Sequence, residues 1–166
     1  MRAAHSGWQR VGRYGRAGER VKDAMDRVLD LVDAIERAGT IDAPVGRHPT
    51  QRTRMAVVER GRPAVTHYSV LEQFAPYATL LRCSLETGRT HQIRVHLQSL
   101  GHPLVGDPVY GKSRRSALDV LNAFKRQALH AERLTLQHPD SGETLSWQAD
   151  LPDDFAQLLD ALRAAQ

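Results

Sequence analysis

The stretch "LETGRTHQIRVHLQSLGHPLVGDPVYG", Leu85 to Gly111, is the densest in information. Arg89, His91, Arg94 and His96 crowd beside Ile93, Leu97 and Leu100, and a loop of Gly, Pro and Asp follows. On a helix turning about 100° per residue, Leu97 and Leu100 fall near Ile93 and form a buried stripe. Arg94 lies about a quarter-turn away, on the border of that stripe, and His91 and Gln98 lie further round the same flank. Two readings of Arg94 are open. It is a surface cation, or it buries its stem and directs its guanidinium into a cleft edge. In the second case the desolvated cation requires a carboxylate or phosphate partner. Thr90 is placed as the N-cap, the helix runs to about Leu100, and Gly101 closes it.

Working outward, "AVTHYSVLEQF" and "YATLLRCSLET" precede this stretch and alternate partly, as strands do. Cys83, the one cysteine, reads as a small buried packing residue and excludes an internal disulfide. After the loop, "RRSALDVLNAFKR" predicts a short helix. "RQALHAERLTLQHPDSGETLSWQAD" predicts a β-hairpin turning at Pro139-Asp140-Ser141-Gly142. "LPDDFAQLLDALRAA" predicts a terminal helix with Phe155, Leu158, Leu159 and Leu162 on its apolar face, and Trp147 is expected to fill core beside it. Upstream, residues 1–18 read as a flexible basic arm. From Glu19 to Arg37 the apolar positions Val21, Met25, Val28, Val32 and Ile35 recur at helical spacing, predicting an amphipathic helix. Strands in hairpin succession mixed with helices give an α+β class, with a mixed, mainly antiparallel sheet and flanking helices.

The segment Gly39–Val65 carries Arg47, His48, Arg52, Arg54, Arg60 and Arg62 against only Asp42 and Glu59, with Pro44, Pro49 and Pro63 breaking regular structure. A solvated loop and a phosphate-contacting loop are both open readings. The chain of 166 residues suits one domain; 41% of residues are apolar and 25% charged, a globular mix. Lys and Arg exceed Asp and Glu by 23 − 19 = 4, a balance that fits a polyanionic partner better than an acidic one. No segment has the length of an apolar membrane span and no signal peptide is evident, so the cytoplasm is the expected location. His91 and His96 are five residues apart and no cysteine pair accompanies them, so no metal site is expected.

Taken with "GTIDAPVGRHPTQRTRMAV", "GRPAVTHY" and "RQALHAERLTLQHPDSGETLSWQADLP", the central stretch resembles the RluA-type pseudouridine synthases that modify large-subunit ribosomal RNA, from about Gly39 to Arg163. The resemblance implies an α+β catalytic domain around a bent antiparallel sheet, with RNA in a basic cleft. It implies isomerisation of uridine to pseudouridine, without metal, nucleotide or redox cofactor. The flipped-out base is acted on by an aspartate, which an arginine of the present motif holds in place; by position that arginine is Arg94. Arg47, His48, Arg52, Arg54, Arg89 and His91 are the implied RNA-binding residues, and Thr90 is open between a cap and an RNA contact.

The family's aspartate lies in an upstream segment resembling His-Arg-Leu-Asp followed by Thr-Ser-Gly, which this sequence does not contain. Its base-stacking tyrosine belongs to an upstream strand, and Tyr14 does not match that setting. Asp107, in "GDPVYG", is expected to bond nearby backbone amides rather than to act as nucleophile. The expectation is therefore a chain whose residues 39–166 correspond to the C-terminal portion of a synthase domain. Residues 1–38, an atypical arm and helix, would be foreign to it, as in a truncated or frame-shifted gene. Arg94 would be shaped to clasp an acid the polypeptide lacks. The chain would then be a synthase by family or an inactive remnant that keeps an RNA-binding surface. A sheet so divided is expected to leave an open edge and bare apolar surface.

Overall fold

The structure, a computed structural model, describes residues 35–111 and 115–166 together with the backbone of 21–30. The basic arm lies outside the described residues. One six-stranded antiparallel sheet dominates: β1 (Val21–Asp30), β2 (Ala38–Asp42), β5 (Val65–Phe74), β6 (Ala78–Leu85), β7 (Leu129–Gln137) and β8 (Thr144–Gln148), in the order β2-β5-β6-β1-β7-β8. β3 (Val45–Arg47) and β4 (Met55–Val57) form a separate small ribbon. Among the described residues there are three helices: α1 (Gln92–Ser99), α2 (Asp119–Ala123) and α3 (Asp153–Ala164). The α+β class and the antiparallel sheet are as expected.

β1 corrects the helix expected over Glu19–Arg37. Its backbone pairs with β6 on one side, Val28 opposite Leu81, and with β7 on the other, Val28 opposite Leu129. Helical spacing of apolar residues is a weak local preference. Two long neighbouring strands whose edge groups would otherwise lack partners outweigh it.

β6 is the hub. Ala78 to Leu81 are all buried in succession, the pattern of a strand covered on both faces. Along it, Ala78 and Leu80 pack with Phe74, Val105 and the α3 residues Phe155, Leu158, Leu159 and Leu162. Leu81 and Cys83 pack instead with Ile93 and Leu97 of α1, Ile41, Tyr68 and Leu104. Each such fully buried Leu or Phe contributes about 1.5–3 kcal/mol relative to an exposed position. Cys83 is thus the packing residue expected of it.

Three further expectations are corrected. Leu100 is exposed rather than part of the α1 stripe, because the helix ends at Ser99 and Gly101 turns the chain away at φ +88°. Trp147 is half exposed, cross-strand from exposed Leu134, because β8 is an edge strand and α3 packs elsewhere. The helix expected over "RRSALDVLNAFKR" shortens to α2. There the Asn122 amide latches the Ser116 backbone at both N–H and C=O, and Phe124 is already extended. The β7–β8 turn forms as expected, with Gly142 at φ +72°.

Candidate functional site

α1 is bolted to β5 through a chain of buried hydrogen bonds whose directions are all fixed. The Val65 N–H donates to Thr87 Oγ1, whose hydroxyl donates to Gln92 Oε1 at 2.8 Å; the Arg89 N–H donates to the same oxygen. Gln92 Nε2 donates to the Val65 carbonyl and to Thr66 Oγ1. Thr66 then donates to His96 Nδ1 at 2.9 Å, since His96 Nε2 must carry its proton to the Ala43 carbonyl. Burial pushes His96 below its ordinary pKa, so it stays neutral. With Thr66 and His96 fully buried, this network fixes the orientation of the helix that carries Arg94.

The helix begins at His91, not at Thr90 as expected. His91 is the N-cap, in the left-handed region at φ 57°, ψ 22°, and no side chain caps the first turn. A non-glycine residue held there stores about 1–3 kcal/mol of strain.

Arg94 is buried, and its guanidinium grips Asp107 side-on. Nε donates to Oδ2 and Nη2 to Oδ1, both at 2.8 Å. This corrects the expectation that its acid lies outside the polypeptide. The partner comes from the loop 13 residues on, brought back by the turn at Gly101 and Gly106. Asp107 also accepts the Val109 and Tyr110 N–H groups at 2.9 and 3.0 Å, the backbone bonding foreseen for it. Burial works against its charge, but Arg94 and these two amides overcome that and hold the carboxyl below its usual range. Three of these bonds fall on Oδ1 and one on Oδ2, so the carboxylate is pinned within the chain.

Tyr110 is the residue the sequence reading missed. Its ring lies beneath two cations, Arg94 at 4.9 Å and Arg54 at 5.6 Å from ring centroid to guanidinium carbon. It meets the His91 ring edge-on at 5.7 Å. Its hydroxyl accepts the Met55 N–H and reaches His91 Nδ1, both at 3.0 Å. The aromatic in "GDPVYG" was a visible signal; its partners, up to 110 − 54 = 56 residues away, were not.

Beside Arg54 lies a surface cleft of about 440 Å³ lined by Arg47, His48, Pro49 and Arg52. The loop closes on itself: the His48 N–H donates to the Arg54 carbonyl, and His48 Nδ1 accepts the N–H groups of Thr50 and Gln51. Its other nitrogen, Nε2, is therefore the protonated one. The side chains of Arg47 and Arg52 have no hydrogen-bond or ion-pair partner among the described residues. Of the expected RNA-binding set, the structure gathers Arg54 and His91 around Tyr110, and Arg47, His48 and Arg52 in the adjoining cleft. Arg89 is set apart, its Nε donating to the Pro63 carbonyl at 3.2 Å. No group of three or more metal-ligating side chains occurs among the described residues, and no helix among them is long and apolar enough to cross a membrane.

Residues 25–99 match the family model for RNA pseudouridylate synthase. The match begins inside β1, upstream of Gly39. Curated relatives described as ribosomal large subunit pseudouridine synthase D are similar over most of the chain. That of Nitrosomonas europaea is 61% identical over 135 residues, 80% of this chain and 39% of its own length. That of Haemophilus influenzae is 53% identical, over 77% of this chain and 41% of its own length. That of Escherichia coli K12 is 52% identical, over 76% and 40%. The chain thus spans about two fifths of the length of these relatives. Among solved structures, human RNA pseudouridylate synthase domain containing 1 aligns with a TM-score of 0.67 at 29% identity, over 87% of this chain and 66% of that one. Human RNA pseudouridylate synthase domain containing 4 aligns at 0.63 and 25%, over 85% and 62%.

Proposed function

We propose, for a chain whose matched residues belong to the RNA pseudouridylate synthase family, that it forms the RNA-holding, arginine-bearing part of a site that isomerises uridine in ribosomal RNA. By itself it holds RNA without completing the reaction. The relatives' names and the implied chemistry support the substrate and the cytoplasmic setting. The single observation that carries the second half is the state of Asp107. Isomerisation by this family's chemistry needs a carboxylate free to reach the ribose of a flipped nucleotide. The carboxylate gripped by Arg94 is 4% exposed and held by four hydrogen bonds within the chain.

The RNA-holding half is supported by the cleft. Arg47 and Arg52 present guanidiniums that no carboxylate among the described residues neutralises, the His48 Nε2–H stands beside them, and phosphate is the acceptor such a set recognises. Arg54 links this cleft to Tyr110 and thence to Arg94. No metal or cofactor enters the scheme.

The test is incubation of the purified chain with ribosomal RNA carrying tritium at uridine carbon 5. The chain is expected to retain the RNA on a filter at low salt and to release no tritium. Release above background overturns the proposal that it does not complete the reaction, and failure to retain RNA overturns the RNA-holding role.

A further inference from the structure

His91 combines three features that fixing a helix does not require. It occupies strained left-handed backbone at the N-cap of α1 and makes no capping bond there. Its Nδ1 is occupied by the Tyr110 hydroxyl at 3.0 Å. That hydroxyl also accepts the Met55 N–H and keeps its own proton to give; turned to His91, it leaves Nδ1 as the bare nitrogen of the ring. In that arrangement the ring proton sits on Nε2, which has no partner among the described residues and is not enclosed. Burial and the nearby Arg94 both disfavour an imidazolium here. The result is one preset, uncharged N–H donor on the rim of the Arg94–Tyr110 cluster.

We propose that His91, locked as the Nε2–H tautomer by Tyr110, donates a hydrogen bond to an uncharged oxygen of the bound nucleoside, a base carbonyl or a ribose hydroxyl, rather than to phosphate. The proposal rests on the RNA-holding reading above and deepens it. Phosphates are matched by the charged, unpaired arginines of the neighbouring cleft. A neutral donor gains nothing from phosphate charge but distinguishes an oxygen in one place from its absence. The strained backbone holds the ring where a helix-interior position would not.

The test uses the full chain and a short single-stranded oligouridylate, with binding measured across a salt series at constant pH. His91→Gly removes the ring at a position where glycine relieves the strain, and His91→Gln restores an amide donor near the place of Nε2. The expected result is a loss of about three- to tenfold in affinity for His91→Gly, the factor of one neutral hydrogen bond, with the salt slope unchanged. His91→Gln should recover part of it. An oligonucleotide with deoxyribose and one with an abasic residue tell the sources apart. The loss should vanish on the deoxy probe if the acceptor is the hydroxyl, and on the abasic probe if it is the base. A salt slope shallower by about 0.7 in His91→Gly would mean a phosphate partner and would overturn the proposal, as would undiminished binding.

Nitrogen NMR of the chain alone, labelled at histidine, gives a second readout independent of RNA. It should show Nδ1 unprotonated, and Tyr110→Phe should mix the two tautomers; a protonated Nδ1 in the unaltered chain sinks the lock. If the unaltered chain binds no RNA, the parent reading fails and takes this one with it. If it binds and His91→Gly binds equally, only this one fails.

Discussion

The α1 region and the β3–β4 loop are neighbours joined through Tyr110, and they treat polar groups in opposite ways. In α1 the donors and acceptors of Gln92, Thr66, His96 and Asp107 are taken by partners within the chain. In the loop, Arg47 and Arg52 stand without an acid among the described residues. Spending polar groups internally builds rigidity, and leaving them unspent builds affinity for something outside. The first region is therefore expected to govern stability and the second binding, with little exchange between the two roles.

The sharpest break of that division is Asp107→Asn. It leaves a buried guanidinium without its counter-charge and should cost about 3–5 kcal/mol in urea unfolding. The same residue sets an acid limit. Its folded pKa lies below the unfolded carboxylate value of about 4, so its contribution is fully present above that value and is lost as pH falls through the folded one. Stability of the unaltered chain should decline below about pH 4, and this part of the decline should be missing in Asp107→Asn. An unchanged acid limb would show that the ion pair does not carry the site.

Next in size is Gly106→Ala. Gly106 sits at φ +68°, and a Cβ would press on the carbonyl oxygens of Phe124 and Arg126. A cost of about 2–3 kcal/mol is expected, read by the same unfolding experiment. The loop that returns Asp107 to Arg94 depends on this turn.

What the sequence made legible follows from the range of the interactions. The turn of α1 at Gly101, the apolar face of α3 and the β7–β8 hairpin are decided by residues within a few positions of one another, and each lies where it was expected. β1 is decided by β6 and β7, about 50 residues away or more, so ten residues with helical spacing could not disclose it. The site divides along the same line. Arg94 on the stripe's border and the unpaired arginines were visible in composition and spacing. That Arg94 holds Asp107, that Tyr110 underlies both cations, and that Gln92 and His96 fasten the helix to Thr66 are contacts between distant segments.

A smaller effect is expected of Asp154→Asn, outside both regions. Asp154 pairs with Arg126 at 2.6 Å on the surface, both side chains well exposed. Water and salt screen such a pair to about 0.5 kcal/mol, fading further at high salt. If it cost as much as Asp107→Asn, burial would not be what separates strong from weak pairs here.

The least effect on stability is expected of Arg47→Ala and Arg52→Ala. Neither guanidinium has a partner to lose among the described residues, so each should unfold within about 0.5 kcal/mol of the unaltered chain. Relief of mutual repulsion in the cleft could even make the double variant slightly firmer. Binding should respond in full. Each removed phosphate contact lowers the salt slope on single-stranded RNA by about 0.7, and the pair by twice that. Measuring both quantities on the same preparation decides the comparison. A stability loss with the slope intact would make the loop a structural brace. An unchanged melt with a shallower slope means that its cations are held open for RNA.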